Sequence, residues 1–103
     1  MIVNQQTIAS NVPSVQTGAT ALAANQKRTA WNIQNVGTNT LFVLLDSTGI
    51  GASTSVYHFV LKAGSSAADG TGGSVGQEVG TIYTGIISVA GTSPSYVVLE
   101  QGA

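Results

Sequence analysis

The chain has 103 residues, of which only 7% are charged, and its formal net charge at pH 7 is -1. Globular domains ordinarily carry about 25% charged residues, so Ser, Thr, Asn and Gln must supply most of the polar surface. The three basic side chains, Lys27, Arg28 and Lys62, are too few to neutralise the phosphates on which nucleic-acid affinity depends. The longest apolar run, residues 41–45, is far shorter than the roughly 20 residues of a membrane-spanning helix. We therefore expect neither nucleic acid nor a membrane as a partner.

The N-terminus has no basic region followed by an apolar stretch, so we expect no signal peptide and no Sec-dependent export. The chain contains no cysteine, which excludes disulfide bonds and thiol chemistry. Its length allows one domain with one modest hydrophobic core.

Residues 1–18 differ from the rest of the chain. They hold few large side chains and show no sustained alternation, so we predict an extended N-terminal arm that cannot form a core of its own. We expect this arm to become ordered by lying across a neighbouring subunit, as a strand added to an exposed sheet edge. Its deletion should then leave the thermal transition of the remaining domain nearly intact. The predicted anchors in the arm are Ile2, Val3, Ile8, Val12 and Val15.

Residues 19–103 form a series of short β-branched and aromatic stretches separated by Gly, Pro, Ser and Thr, a pattern typical of strands and turns. The first predicted strand is 19–24 and the clearest is 28–36. In the latter, alternation predicts one face towards the core and one towards solvent. The predicted core face holds Thr29, Trp31 and Ile33, and the predicted solvent face holds Arg28, Asn32 and Gln34.

Gly37–Asn39 then predicts a hairpin turn into a strand at 40–45. That strand is apolar on both faces, with Phe42 and Leu44 opposite the Leu41 face, so both faces need burial. Further strands are predicted at 56–63, 81–89 and 95–100, the last two paired around a turn at 90–94. The first of these alternates, with Tyr57, Phe59 and Leu61 on one face and Val56, His58, Val60 and Lys62 on the other. Residues 46–55 and 64–76 are predicted loops.

Together these elements predict an all-β fold, a single antiparallel β-sandwich that is jelly-roll-like or an incomplete barrel, over residues 19–103. Closed assembly would protect its doubly apolar strands from aggregation, so we expect a homo-oligomer.

The sequence offers little for catalysis. His58 is the only imidazole and lies in mid-strand, so we expect it on an outer sheet face or at a subunit contact rather than in a catalytic triad. Asp46 is expected to cap a turn, and the glycine-rich segment around Asp69 to form a mobile loop, since it lacks the Gly-Lys-Ser/Thr end of a phosphate-binding loop. The acidic residues are scattered, which does not favour a metal site. We expect no catalytic residue, no metal and no cofactor, and hence no enzyme.

The aromatic residues allow one alternative. Trp31 is expected in the core, whereas Tyr96 is the aromatic residue most expected at the surface. Tyr96, Tyr83 and the loop 64–76 would form the binding surface if the chain were a carbohydrate-binding module that acts in adsorption to a host cell.

Residues 28–39 (RTAWNIQNVGTN), followed by Leu41-Phe42-Val43, resemble a stretch of small structural proteins of tailed bacteriophages. Residues 80–87 (GTIYTGII) and 95–100 (SYVVLE) are similar to the C-terminal part of such proteins. The resemblance implies a virion protein of the head-decoration or fibre type, made in the cytoplasm of the bacterial host, with no enzymatic activity. By analogy with small decoration proteins we expect a trimer, bound to the major capsid protein or another virion protein. The predicted assembly contacts are the arm anchors given above together with Phe42 and Leu44.

Overall fold

The computed structural model of the protein describes the backbone of residues 8–10 and all of residues 15–102. These residues contain no helix, and so none that is long and apolar enough to cross a membrane. The elements are eight short strands: β1 (Ile8–Ser10), β2 (Thr20–Leu22), β3 (Arg28–Asn35), β4 (Leu41–Leu45), β5 (Phe59–Leu61), β6 (Ser74–Gln77), β7 (Ile87–Ala90) and β8 (Tyr96–Gly102).

The strands form two four-stranded antiparallel sheets. Sheet A has the order β1-β8-β3-β6, and sheet B has the order β2-β7-β4-β5. The first strand in the chain therefore pairs with the last, the second with the second last, and so on: β1 with β8, β2 with β7, β3 with β6 and β4 with β5. This is the eight-stranded jelly roll, a folded antiparallel ribbon. The predicted antiparallel β-sandwich is thus confirmed.

The core lies between the two sheets and follows the predicted alternation. On β4, Leu41 and Val43 face inward and are 1% and 0% exposed, and on β3 Ile33 is fully buried. Trp31 is 2% exposed, as predicted, and its indole Nε1 donates to Gln77 Oε1 at 2.8 Å. The buried cluster comprises Leu22, Trp31, Ile33, Leu41, Val43, Leu61, Ile87, Val89, Tyr96 and Val98.

Two predicted hairpins were wrong, because the chain crosses between the sheets at both turns. β3 lies in sheet A and β4 in sheet B, and likewise β8 lies in sheet A and β7 in sheet B. The buried side chain of Asn35 organises the first crossing: its Oδ1 accepts from the Gly37 N–H, and its Nδ2 donates to the carbonyls of Asn39 and Leu61. By pairing with backbone groups of the turn, this buried amide stabilises the crossing. The residues of the turn alone do not distinguish such a crossing from a hairpin.

The solvent face predicted for Arg28 was also wrong. The pairing of β3 with β8 shifts register between Arg28 and Ala30, as in a β-bulge. An extra residue on one strand reverses which face the preceding side chains occupy. Arg28 therefore points inward and is 4% exposed, whereas Thr29 is exposed.

β6 was not predicted, since Ser74–Gln77 begins within the expected loop 64–76 and has weak strand propensity. It is placed by its pairing with β3, in which Val75 lies opposite Ile33. The strand predicted at 81–89 begins only at Ile87, and the one predicted at 56–63 only at Phe59.

Part of the predicted arm is attached to its own domain. β1 pairs with β8 of the same chain, with Ile8 opposite Gln101. Gln16 exchanges backbone hydrogen bonds of 2.7 and 3.0 Å with Tyr96, whose hydroxyl donates to the Gly18 carbonyl at 2.6 Å. These segments are placed without a partner subunit.

Candidate interaction surfaces

The outer face of sheet B presents apolar side chains to solvent. Phe42 on β4 lies opposite Val60 on β5, so the two share this face. The Tyr57 ring packs on Phe42 with centroids 5.0 Å apart. Val60 is 50% exposed and Tyr57 42% exposed, and Phe42 is partly exposed. We name these three residues the apolar patch; it is the clearest exposed apolar cluster on either sheet face.

The loop between β4 and β5 brings Tyr57 onto this face beside Phe42 and Val60. The sequence had predicted Tyr57 on the same face as Phe59, opposite Val60. Asp46, directly after β4, caps the turn as predicted: its Oδ1 accepts from the Ile50 N–H and its Oδ2 from the Gly51 N–H. At the other end, Nδ1 of the exposed His58 accepts from the Leu45 N–H at 3.0 Å. Both ends of the loop are thereby fixed to β4.

The residues predicted as assembly contacts differ in how far their side chains are exposed to solvent. Leu44 is only 7% exposed, so its side chain needs no partner subunit to cover it, whereas Val15 is 51% exposed. Ile8 belongs to β1, where only the backbone is described. The remaining anchors, Ile2, Val3 and Val12, lie outside the described residues. Their role as assembly contacts stays a prediction.

The outer face of sheet A, on the opposite side of the sandwich, carries a hollow of about 200 Å³. The hollow is deep at Gly76 and Ala30 because these residues have almost no side chain. Position 76 requires glycine, since a Cβ there would collide with the Trp31 carbonyl. The rim is polar apart from Leu99, which is 42% exposed. We name this site the sheet A hollow; the residues that define it are Ala30, Asn32, Gly76, Glu78, Leu99 and Gln101.

Most charged groups of the chain are already paired. Glu100 accepts from Arg28 Nε at 2.7 Å within the core. Asp46 holds its turn and accepts from the Ser88 hydroxyl, and Asp69 is held within its own loop. Among the described residues, Glu78 at the sheet A hollow is the one carboxylate without a hydrogen bond. Within the same described part of the chain, the ammonium groups of Lys27 and Lys62 have no hydrogen-bond or ion-pair partner.

The Arg28–Glu100 pair is a structural element and is closed to ligands. Besides Glu100, the guanidinium donates to the carbonyls of Tyr83, Gly85 and Ala23 at 2.9, 2.9 and 2.6 Å. It therefore joins β3 to β8, to the segment before β7 and to the segment after β2. The Arg28 side chain is 0% exposed and that of Glu100 is 9% exposed.

A cleft of about 420 Å³ at one end of the sandwich holds Asp46 and Tyr83. The Tyr83 hydroxyl is buried and has no hydrogen-bond partner among the residues that the structure describes. Burial, and secondly the negative charge of Asp46, raise the pKa of Tyr83. Since Asp46 already accepts three hydrogen bonds, this pair lacks the free base that acid–base catalysis would need. Within the described part of the chain, no three His, Asp or Glu side chains cluster as metal ligands.

The loop around Asp69 is more ordered than its composition suggests. Hydrogen bonds from the Thr71 hydroxyl and the Thr71 N–H lower the pKa of this exposed carboxyl group to about 2, with a smaller contribution from Ser66. The hydroxyl bond is 2.6 Å long and the Ser66 N–H bond 2.9 Å. Asp69 thus closes the turn between β5 and β6.

Of the two tyrosines expected to bind carbohydrate, one is buried and the other is partly buried. Tyr96 is 1% exposed, so its predicted surface position was wrong: it lies on the inward row of β8 with Val98 and Glu100. Tyr83 is partly buried with its hydroxyl enclosed. Tyr57 is the exposed tyrosine, and it packs on Phe42 in the apolar patch.

Comparison of the chain with protein-family models, curated proteins and solved structures gave no match. The functional proposal below therefore depends on composition, surface geometry and the resemblance of the strand segments. Sequence reasoning had placed Val60 and Lys62 on one face of their strand, but it had not identified Glu78 or the sheet A hollow as surface features. The pairing of β4 with β5 places Val60 beside Phe42, and the hollow lies on the opposite side of the sandwich.

Proposed function

We propose that this chain is a non-enzymatic structural protein of a tailed-phage virion, a capsid decoration or accessory head protein. It acts by associating with copies of itself, as a trimer, and by binding the major capsid protein or another virion protein. Its mechanism is the burial of apolar surface at subunit contacts, which contributes roughly 25 cal/mol per Å².

The observation that carries the self-association is the apolar patch. Val60 and Tyr57 are about half exposed beside Phe42 on a sheet face, where a solvated antiparallel sheet ordinarily carries polar side chains. With 7% charged residues, the surface also lacks the like-charge repulsion that keeps monomers apart. Both features favour close contact between subunits.

The virion assignment is supported by the resemblance of three segments to small phage proteins. In the fold, residues 28–39 contain β3 and residues 96–100 lie in β8, which are adjacent central strands of sheet A, whereas residues 41–43 lie in β4 of sheet B. The jelly roll itself serves many functions and does not select among them.

A pair of matched substitutions tests the self-association. Val60→Glu places a charge in the apolar patch, and Val79→Glu places the same charge at a valine that is 84% exposed and outside it. We expect Val60→Glu to lower the molar mass measured by light scattering and Val79→Glu to leave it unchanged. Equal effects of the two substitutions would contradict an interface at the patch.

The virion role has its own test. Mass spectrometry of particles purified from a phage that carries the gene should detect the chain in many copies. Its absence from purified particles would contradict the virion role and leave the self-association standing. A glycan array should give no signal, because Tyr96 is buried and the hydroxyl of Tyr83 is enclosed.

A further inference from the structure

The turn between β5 and β6 contains the one Asp-Gly dipeptide of the chain, Asp69-Gly70. Aspartate followed by glycine is especially prone to rearrange to isoaspartate, because glycine has no side chain to shield its amide nitrogen. Both residues are exposed, and even a Cβ at Gly70 would have no neighbour within 4 Å. Neither crowding nor burial therefore protects this dipeptide.

The rearrangement has two steps. In the first, the Gly70 nitrogen attacks Cγ of the protonated Asp69 carboxyl group. The N–Cγ bond forms, the nitrogen loses its proton, and the carboxyl hydroxyl leaves as water, which gives a succinimide ring. In the second, water adds to a ring carbonyl and a C–N bond breaks. When the broken bond is the one to the main-chain carbonyl carbon of Asp69, the chain continues through Cγ and its mass is unchanged.

Four hydrogen bonds oppose the first step. Oδ1 of Asp69 accepts from the Thr71 hydroxyl at 2.6 Å and from the Thr71 N–H at 2.9 Å. Oδ2 accepts from the Ser66 N–H at 2.9 Å and from the Ser66 hydroxyl at 3.1 Å. Both carboxylate oxygens are thereby fixed, and the carboxyl group cannot turn without breaking some of these bonds.

The same bonds favour the ionised form of the carboxyl group, which is the less reactive one because its oxygen cannot leave as water. The Thr71 hydroxyl is the largest cause of the low Asp69 pKa of about 2, followed by the Thr71 N–H. Geometry and protonation therefore act in the same direction.

We propose that Asp69-Gly70 is a latent modification site, which the donors of Thr71 and Ser66 keep from rearranging to isoaspartate. This inference goes beyond the proposed function, since it requires neither self-association nor a virion.

The rearrangement would damage the connection between the two sheets. The Gly64 N–H donates to the Gly37 carbonyl at 2.9 Å, and the Ala68 N–H donates to the Val36 carbonyl at 2.8 Å. Val36 and Gly37 directly follow β3, where the chain crosses to sheet B. Isoaspartate at position 69 adds a main-chain carbon and moves the carboxylate, so the turn should lose its hold on this crossing.

The test is prolonged incubation of the full-length chain at near-neutral pH, followed by peptide mapping that separates isoaspartyl from aspartyl peptides. Thr71→Val removes the hydroxyl and keeps the N–H. We expect it to accelerate isoaspartate formation at position 69 by roughly three- to tenfold, since the fraction of neutral acid changes about tenfold for each pKa unit. Thr71→Ser keeps a hydroxyl and should retain the parental rate. Ser66→Ala should have a smaller effect than Thr71→Val.

Two controls separate this protection from general effects. Thr54→Val makes the same change at an exposed threonine between β4 and β5 and should leave the rate unchanged. The parental chain unfolded in guanidinium chloride lacks the four bonds and should rearrange faster than the folded chain. Equal rates for Thr71→Val and Thr71→Ser, or for the folded and unfolded parent, would overturn the proposal. Circular dichroism of each variant confirms that the fold is retained.

Discussion

Replacing Arg28 by Met should destabilise the domain more than any other single change of a charged residue. The substitution leaves the Glu100 carboxylate buried without its cation, and it removes the donor from the carbonyls of Tyr83, Gly85 and Ala23. Removing one partner of a buried ion pair costs about 3–5 kcal/mol. The free energy of unfolding of a small domain is about 5–15 kcal/mol, so Arg28→Met should remove a large part of it.

Urea unfolding followed by the fluorescence of Trp31, the sole tryptophan, measures this loss. Thr29→Ala is the matched control, because Thr29 is exposed in the same bulge and should change stability by less than about 0.5 kcal/mol. Glu100→Gln should fall between the two, since its amide oxygen can still accept from Arg28. A loss below about 1 kcal/mol for Arg28→Met would mean that Arg28 is solvated, as the uninterrupted alternation of β3 predicted.

Three further predictions follow from the core and from the edge of sheet A. Trp31→Ala should lower the free energy of unfolding by about 3–5 kcal/mol, because it removes the largest buried side chain. Urea unfolding followed by far-ultraviolet circular dichroism measures this loss, and a melting temperature within a degree or so of the parent would contradict the burial of Trp31. Deletion of residues 1–18 should lower the melting temperature, because it removes β1 and the acceptor of the Tyr96 hydroxyl; a melting temperature equal to that of the parent would contradict the pairing of β1 with β8. Burial raises the pKa of Tyr96 above its ordinary value of 10.0, so the folded state holds this proton more tightly than the unfolded state. Stability should therefore be complete below pH 10 and fall as the pH rises further, and Tyr96→Phe should reduce that fall; an equal fall in both proteins would exclude Tyr96 as its source.

The sequence was informative where alternation is uninterrupted. On β4, the faces of Leu41 and Phe42 were predicted correctly, because one period-two pattern continues along the strand. On β3, alternation predicted the faces of Trp31 and Ile33 correctly and that of Arg28 wrongly. The bulge that reverses Arg28 arises from the pairing with β8 and cannot be read from the composition of β3.

Long-range pairing accounts for the other differences. Gly37–Asn39 has the residues of a hairpin turn, and the crossing to the second sheet depends on the contacts that Asn35 makes near β5. β6 has a sequence that forms a strand only because β3 lies beside it. For the candidate surface, Val60 could be placed opposite the face of Phe59 from the sequence, whereas its position beside Phe42 required the pairing of β4 with β5.

Self-association is the central claim, and the molar mass of the purified chain in solution tests it most directly. Light scattering at micromolar concentration should give about three times the chain mass of 10.4 kDa, decreasing on dilution as a reversible assembly requires. A mass of 10.4 kDa that does not change with concentration would contradict the account, because the apolar patch would then face solvent in the free protein.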